Sequence, residues 1–292
     1  MFKQLFLSIL CCLALLPYAN CSETDSVTAD SVTYDWLIEQ IEKNTEGHST
    51  DHLPHWRRLF NTTKVQGFLE CSCGLSTKYF LDNAEQVISI EYVMPGYGDM
   101  WFQHYFKIFQ DQPNWTPMLY NEDFRSNSFN NACAYQCALH KDYALIDATY
   151  LRELFQHYKS VIKNAQSNGY SIDAAFVDST LYVRGDLVKV LLAHKIPIVA
   201  AHDTLYSMDC VDTSGSELHM GNDLYGWSKI TTPPDYVRVD IPFGAGTTFW
   251  ISSRLPEVIR SMQDYRDNIL QLKSLGLSVT FDDLTEFADE IL

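Results

Sequence analysis

Two hydrophobic spacings alternate along the chain. Short apolar runs end abruptly in a polar residue: residues 65–69 before Glu70, 87–90 before Glu91, 172–177 before Asp178 and 197–201 before His202. Runs that are apolar at successive positions and only about 4 to 8 residues long suit strands buried on both faces of a parallel sheet. Between them lie stretches with helical spacing: 77–81, 100–109, 149–167 and 184–193. In the third of these Leu151, Leu154, Phe155, Tyr158, Val161 and Ile162 fall on one side. Residues 114–120 supply a further strand, and residues 235–241 and 247–252, joined by Gly244-Ala245-Gly246, read as an antiparallel hairpin. The expected fold is α/β: a doubly wound, mostly parallel seven-stranded sheet with a C-terminal antiparallel hairpin.

The flanks read differently. Residues 1–21 carry Lys3, an apolar run over 5–16, Pro17 and then Ala19-Asn20-Cys21, the charge order and length of a signal peptide. The run is shorter than the ~18 to 20 residues of a spanning helix, so the mature chain is expected to be exported, periplasmic or secreted, with no stable membrane span. Residues 22–52 form a polar leader and a short helix over 34–43, residues 53–254 the α/β domain, and residues 255–292 the C-terminal helices. A second short helix spans 53–60, and His48, His52 and His55 beside it read as solvated linker histidines.

Charge removes one class of partner. The net charge of -16 and pI near 4.8 argue against nucleic acid, which needs a basic groove. Of the eight cysteines, Cys71, Cys73, Cys133, Cys137 and Cys210 lie beyond the leader, with Cys21 at its edge. Their spacing does not match the usual zinc patterns, although Cys133, Cys137 and His140 on one helix would make a metal corner, against an ordinary buried or disulfide-bonded role.

The first strand runs into Glu70-Cys71-Ser72-Cys73-Gly74-Leu75-Ser76-Thr77, and Glu91 closes the second strand about twenty residues later. Here the sequence resembles the class I S-adenosylmethionine-dependent methyltransferases, whose first motif is an acid followed by a glycine-rich turn, E/D-x-G-x-G-x-G. Of the three glycines only Gly74 is kept, and Ser72 stands at the first. The resemblance implies S-adenosylmethionine as cofactor, held by Glu70, Ser72, Gly74, Ser76 and Glu91, with Asp123 or Glu122 after the third strand meeting the adenine amino group.

The second half extends the resemblance. Val177-Asp178-Ser179-Thr180-Leu181-Tyr182 and Ala201-His202-Asp203-Thr204 are similar to the fourth and fifth strand ends of small-molecule O-methyltransferases. In metal-dependent members such positions hold a divalent ion, which implies Asp178 and Asp203 as metal ligands, with His202 favouring Mn2+ or Fe2+ over Mg2+. Without a metal, His202 reads as a general base oriented by Asp203 or Asp178; the plainer alternative for Asp203 is a turn cap. Asp178, His202 and Asp203 are thus the candidate catalytic residues. The long connection over 206–235 is the expected substrate-facing segment. Two functions stand side by side: methyl transfer to oxygen or nitrogen of a small or exported acceptor, and a non-catalytic binding protein that keeps the fold. Another nucleotide- or metal-using enzyme on the same sheet is a third.

Overall fold

A computed structural model of the chain describes residues 27–43, 51–92, 100–120, 148–179, 184–205, 209–211, 217–219 and 230–290. The signal-peptide segment, Cys21, His48, Glu122, Asp123, Cys133, Cys137, His140 and much of the connection over 206–235 lie outside the described residues.

All the expected strands form. They are β1 (Val65–Cys71), β2 (Ala84–Tyr92), β3 (Trp115–Tyr120), β4 (Ile172–Val177), β5 (Ile198–His202), β8 (Tyr236–Ile241) and β9 (Thr247–Ser252). Within the long connection β6 (Asp209–Val211) and β7 (Glu217–His219) pair as a small separate hairpin, which its polar sequence did not announce. The main sheet has seven strands in the order β3-β2-β1-β4-β5-β9-β8. β1 to β5 run parallel, while β9 is antiparallel to both β5 and β8. This is the doubly wound sheet with a reversed final hairpin that the spacing predicts. The hairpin separates it from an all-parallel dinucleotide-binding sheet.

Strand side chains alternate between faces. Phe68, Val87, Ala174, Phe176, Ala200 and Phe249 point into one buried layer, and Leu69, Ile88, Ala175, Val177, Ala201 and Trp250 into the other. This double burial is why no polar alternation is visible in β1, β4 and β5. The second layer is covered by α5 (Ala148–Ser167) and α6 (Arg184–Ala193). The first is covered by α1 (Tyr34–Lys43), α2 (Leu53–Thr62), α3 (Thr77–Asn83), α4 (Met100–Phe109), α7 (Pro256–Ser274) and α8 (Phe281–Asp289).

The hub of the first layer is Trp56 on α2, fully buried, with ring centroids 5.0 Å from Phe68, 5.6 Å from Phe80, 5.5 Å from Phe176 and 5.3 Å from Phe249. Its truncation to alanine is expected to cost about 3 to 5 kcal/mol. The C-terminal helices clamp α2 from outside: Arg57 pairs with Asp289 at 2.6 Å, and Asn61 Nδ2 donates to the Ala288 carbonyl at 3.1 Å. α8 starts at a capping box in which Asp283 Oδ2 accepts from the Thr280 N–H at 2.8 Å.

This enclosure corrects the reading of the linker histidines. His52 and His55 are fully buried. His55 Nδ1 lies 2.9 Å from the Tyr265 hydroxyl, and burial pushes its pKa down to about 3. The segment is polar by composition, yet His52 and His55 share a helix face with Trp56 and Leu59, and the sheet draws the histidines in with them. Among the described residues no helix is long and apolar enough to cross a membrane.

Candidate functional site at the strand ends

The first buried layer changes chemistry at the carboxyl ends of its strands. Two positions after Phe68 comes Glu70, two after Ser89 comes Glu91, two after Phe176 comes Asp178, and two after Ala200 comes His202. Each keeps the phase of an inward-facing side chain, so the same alternation that builds the core gathers acids and a histidine along one edge. In open α/β sheets that edge is where ligands bind.

The turn after β1 is held by these groups. Ser72 has φ of 87°, in the left-handed region that a glycine would adopt freely. Its N–H donates to the Ile90 carbonyl at 2.8 Å and its Oγ donates to Glu91 Oε2 at 3.0 Å, contacts that offset the strain. Glu91 Oε2 also accepts the Cys73 N–H at 3.0 Å, and Oε1 accepts the Tyr92 N–H at 3.1 Å. Burial raises the Glu91 pKa, these donors oppose it, and the balance lies at about 7.

Glu70 faces a different neighbourhood. Its Oε1 accepts from Thr77 Oγ1 at 2.7 Å and from Ser89 Oγ, and Trp115 Nε1 in turn donates to Ser89 Oγ at 2.6 Å. Burial outweighs the hydrogen bonds from Ser89 and Thr77 and pushes its pKa up to about 8. Thr77 Oγ1 accepts the Gly74 N–H at 2.9 Å. Glu70 therefore braces the turn from beneath. Ser76 stands at the start of α3 with no side-chain capping bond. The thiols of Cys71 and Cys73 are free and buried; burial pushes the Cys71 thiol up to about 12.

The second group is centred on His202. Its Nε2 lies 2.5 Å from Asp51 Oδ1, and its Nδ1 lies 3.4 Å from Asp178 Oδ1 and 3.5 Å from Asp203 Oδ1. Burial alone would lower the His202 pKa, but the Asp203, Asp51 and Asp178 carboxylates overcome it and hold the pKa well above the usual value. With both ring nitrogens facing carboxylates that hold its pKa up, His202 is drawn towards the protonated form, in which it offers no lone pair to a metal or to a substrate proton. Arg184, the first residue of α6, spans the other side, with Nη2 3.1 Å from Asp178 Oδ1 and Nη1 2.5 Å from Asp203 Oδ2. Asp203 itself sits at φ of 59°.

Asp51 ties this group to the hairpin turn, because its Oδ2 accepts the Ala245 N–H at 2.8 Å. Gly244 has φ of 56°, and a Cβ there would lie 1.6 Å from Asp51 Oδ2, so glycine is required. His52 packs its ring against Phe176 at 4.5 Å and His202 at 4.9 Å. Burial, reinforced by the neighbouring His202 charge, keeps its pKa well below the usual value, so His52 is neutral. Ser179 Oγ, Thr204 Oγ1 and Thr247 Oγ1 are buried with no hydrogen-bond partner among the described residues.

The eight described residues expected at a cofactor and catalytic edge thus fall into two sets. Ser72, Gly74, Ser76 and Glu91 line the turn, Glu70 lies below it, and Asp178, His202 and Asp203 form the acidic cluster; Asp123 lies outside the described residues. The sets are joined by the backbone, since the Asp178 N–H donates to the Cys71 carbonyl at 3.2 Å. Sequence reasoning missed Asp51 and Arg184. Neither had a local signal beyond being a charged residue beside a buried helix or strand.

An adenosine-containing ligand suits the turn: among the described residues a Cβ added to Gly74 would meet only Ser76 Oγ at 4.0 Å, beside a carboxylate at the end of β2. A divalent metal does not suit the cluster. One ligand atom each from Asp178, His202 and Asp203 lies within 4.8 Å of the others, but the Arg184 guanidinium already bridges the two carboxylates.

No family model matches the chain, and no curated protein matches it. The fold is similar to solved structures of a candidate caffeoyl-CoA O-methyltransferase from Staphylococcus aureus and an SAH-bound methyltransferase from Podospora anserina. The first is 14% identical over 82% of this chain and 99% of that one, with a TM-score of 0.45. The second is 14% identical over 82% and 95%, with a TM-score of 0.43. A methyltransferase from Geobacter sulfurreducens follows at 12% identity over 74% and 86%, with a TM-score of 0.39. At these values it is the chain's own strand order and reversed hairpin that define its fold class.

Proposed function

We propose that the chain is an S-adenosylmethionine-dependent methyltransferase acting on oxygen or nitrogen of a small acceptor in an exported compartment. The observation that carries this reading is the Asp178 N–H to Cys71 carbonyl bond of 3.2 Å, which fixes the most exposed carboxylate of the acidic cluster beside the cofactor-type turn. When bound, S-adenosylmethionine supplies an electrophilic methyl group on sulfur. Glu91, once ionised, accepts the ribose hydroxyls, and Gly74 lets the ligand approach the backbone. Asp178 orients the acceptor and takes its proton; Arg184 and His202 both meet its Oδ1, which among the described residues leaves Oδ2 for that role. His202 acts by holding Asp178 and Asp203 in place. The hydroxyls of Ser179 and Thr204, which have no partner among the described residues, add hydrogen-bonding capacity next to the carboxylates.

A second reading, a binding protein that keeps the fold without turnover, is favoured by Glu91, whose oxygens already accept from Ser72, Cys73 and Tyr92. Calorimetric titration with S-adenosylmethionine and S-adenosylhomocysteine, followed by a labelled-methyl transfer assay on pooled small acceptors, separates the two. Saturable binding with transfer supports the enzyme, binding without transfer supports the second reading, and no binding removes the enzyme. Export belongs to the same proposal; an N-terminal sequence of secreted protein that began at Met1 would remove it.

A further inference from the structure

We propose that Arg184 is a built-in cation filling the position between Asp178 and Asp203, so that the cluster works without a divalent ion. The guanidinium fork spans the two carboxylates at 3.1 Å and 2.5 Å. It is fixed from behind, because Nε donates to the Ser179 carbonyl at 2.6 Å and Nη1 lies 3.5 Å from the His202 carbonyl. The residue is only 7% exposed and opens a helix whose side chains are buried nearly throughout. A planar fork bridging two carboxylates is a task that arginine performs and lysine does not.

A metal reaching the same oxygens would need bonds of about 2.0 to 2.6 Å. It would have to expel the guanidinium from this place and leave a buried cation without its partners, which is strongly unfavourable. Removing Arg184 would leave the Asp178 and Asp203 carboxylates without the guanidinium they share, a pair of acids that is the complement of a divalent ion. Arg184 is a positioning residue in this account: it sets the direction in which Asp178 and Asp203 point. Its purpose, presenting Asp178 to an acceptor, rests on the methyl-transfer reading, but its occupancy of the cation position does not.

The test is titration of the full chain with Mn2+, reading the electron paramagnetic resonance signal of the free ion. Wild type is expected to show no saturable one-to-one binding. Arg184→Gln is expected to gain Mn2+ affinity by at least about tenfold, because a like charge a few Å away is gone, and adding Asp178→Asn should cancel the gain. One-to-one binding to wild type that Asp203→Asn removes would overturn the proposal, as would a folded Arg184→Gln with unchanged Mn2+ affinity. Should Arg184→Gln fail to fold, refolding it with and without Mn2+ decides: recovery of native circular dichroism with the ion supports the proposal, and no recovery overturns it. S-adenosylmethionine titration of wild type without metal is read separately, so failure of the cofactor reading leaves the Mn2+ result interpretable.

Discussion

Asp51 and His202, 151 positions apart in the chain, form a buried ion pair with Nε2 and Oδ1 at 2.5 Å. Each side chain is 2% exposed, so the pair is worth most through what its loss would leave behind. Asp51→Asn is expected to lower stability by about 3 to 5 kcal/mol, the usual result of stranding one partner of a buried pair. Because the folded His202 pKa is raised above its ordinary 6.5, the stability from its proton is fully present below that value and is lost as pH rises through the raised one. The variant should lose less on going from neutral to alkaline pH. Urea midpoints across that range measure both effects, and parallel pH profiles would count against the pair.

Gly244→Ala should act on the same pair from the other side. The new methyl meets Asp51 Oδ2 at 1.6 Å and the φ of 56° is strained for alanine, so the Asp51 carboxylate must move. A loss of at least about 2 kcal/mol in thermal or urea denaturation is expected. In combination with Asp51→Asn the losses should be less than additive, since both break one contact. Additive losses would show that Gly244 matters only for its backbone.

Glu70→Gln tests whether the brace beneath the turn works as a neutral group. Its folded pKa of about 8 exceeds the ordinary 4.5, so the stability it contributes is present below 4.5 and is lost as pH rises through 8. Glutamine keeps an oxygen for Thr77 and Ser89 and never ionises. The variant should therefore gain on wild type by a few kcal/mol between about pH 5 and 9. A stability difference that stays flat with pH would mean that folding does not raise the Glu70 pKa.

Glu91→Ala is expected to weaken S-adenosylmethionine binding by about 1 to 3 kcal/mol. The carboxylate must be ionised to accept both ribose hydroxyls, and its pKa in the free chain is about 7, so wild-type affinity should rise with pH through that value while the variant's stays level. Calorimetry at several pH values reads both. Equal affinities for wild type and a folded variant would take Glu91 out of the site.

The sheet was legible because its information is local. Val65 to Leu69, Ile172 to Val177 and Thr247 to Ser252 are mostly apolar, interrupted only at Gln66, Asp173, Thr247, Thr248 and Ser252, and each sits between turn residues, so strand positions follow from local pattern. The positions of Glu91, near the end of β2, and Asp178, just after β4, were legible for the same reason. Asp51 and Arg184 were not, because their meaning lies in partners contributed by other elements: Asp51 reaches Ala245, 194 positions away. His52 and His55 were misread since a polar stretch gives no sign of the surface that will close over it. The metal reading of Asp178 and Asp203 came from matching positions. Matching could not register the guanidinium that Arg184 brings from the next helix.

The Asp51 contacts also bear on the order of folding. The acidic cluster closes only when a residue preceding β1 meets β5 and the turn before β9, loops of 151 and 194 positions. Contacts between such distant parts of a chain form late, after more local pairings have reduced the entropy of closure. A fragment cut at the edge of α2 to isolate the sheet would omit Asp51 and leave the His202 imidazolium with an uncompensated side. The strongly hydrogen-bonded imidazolium proton of His202 is accordingly a spectroscopic gauge of the whole chain: it reports completion of the native topology, and a nascent or truncated protein should lack it even with its parallel strands in place.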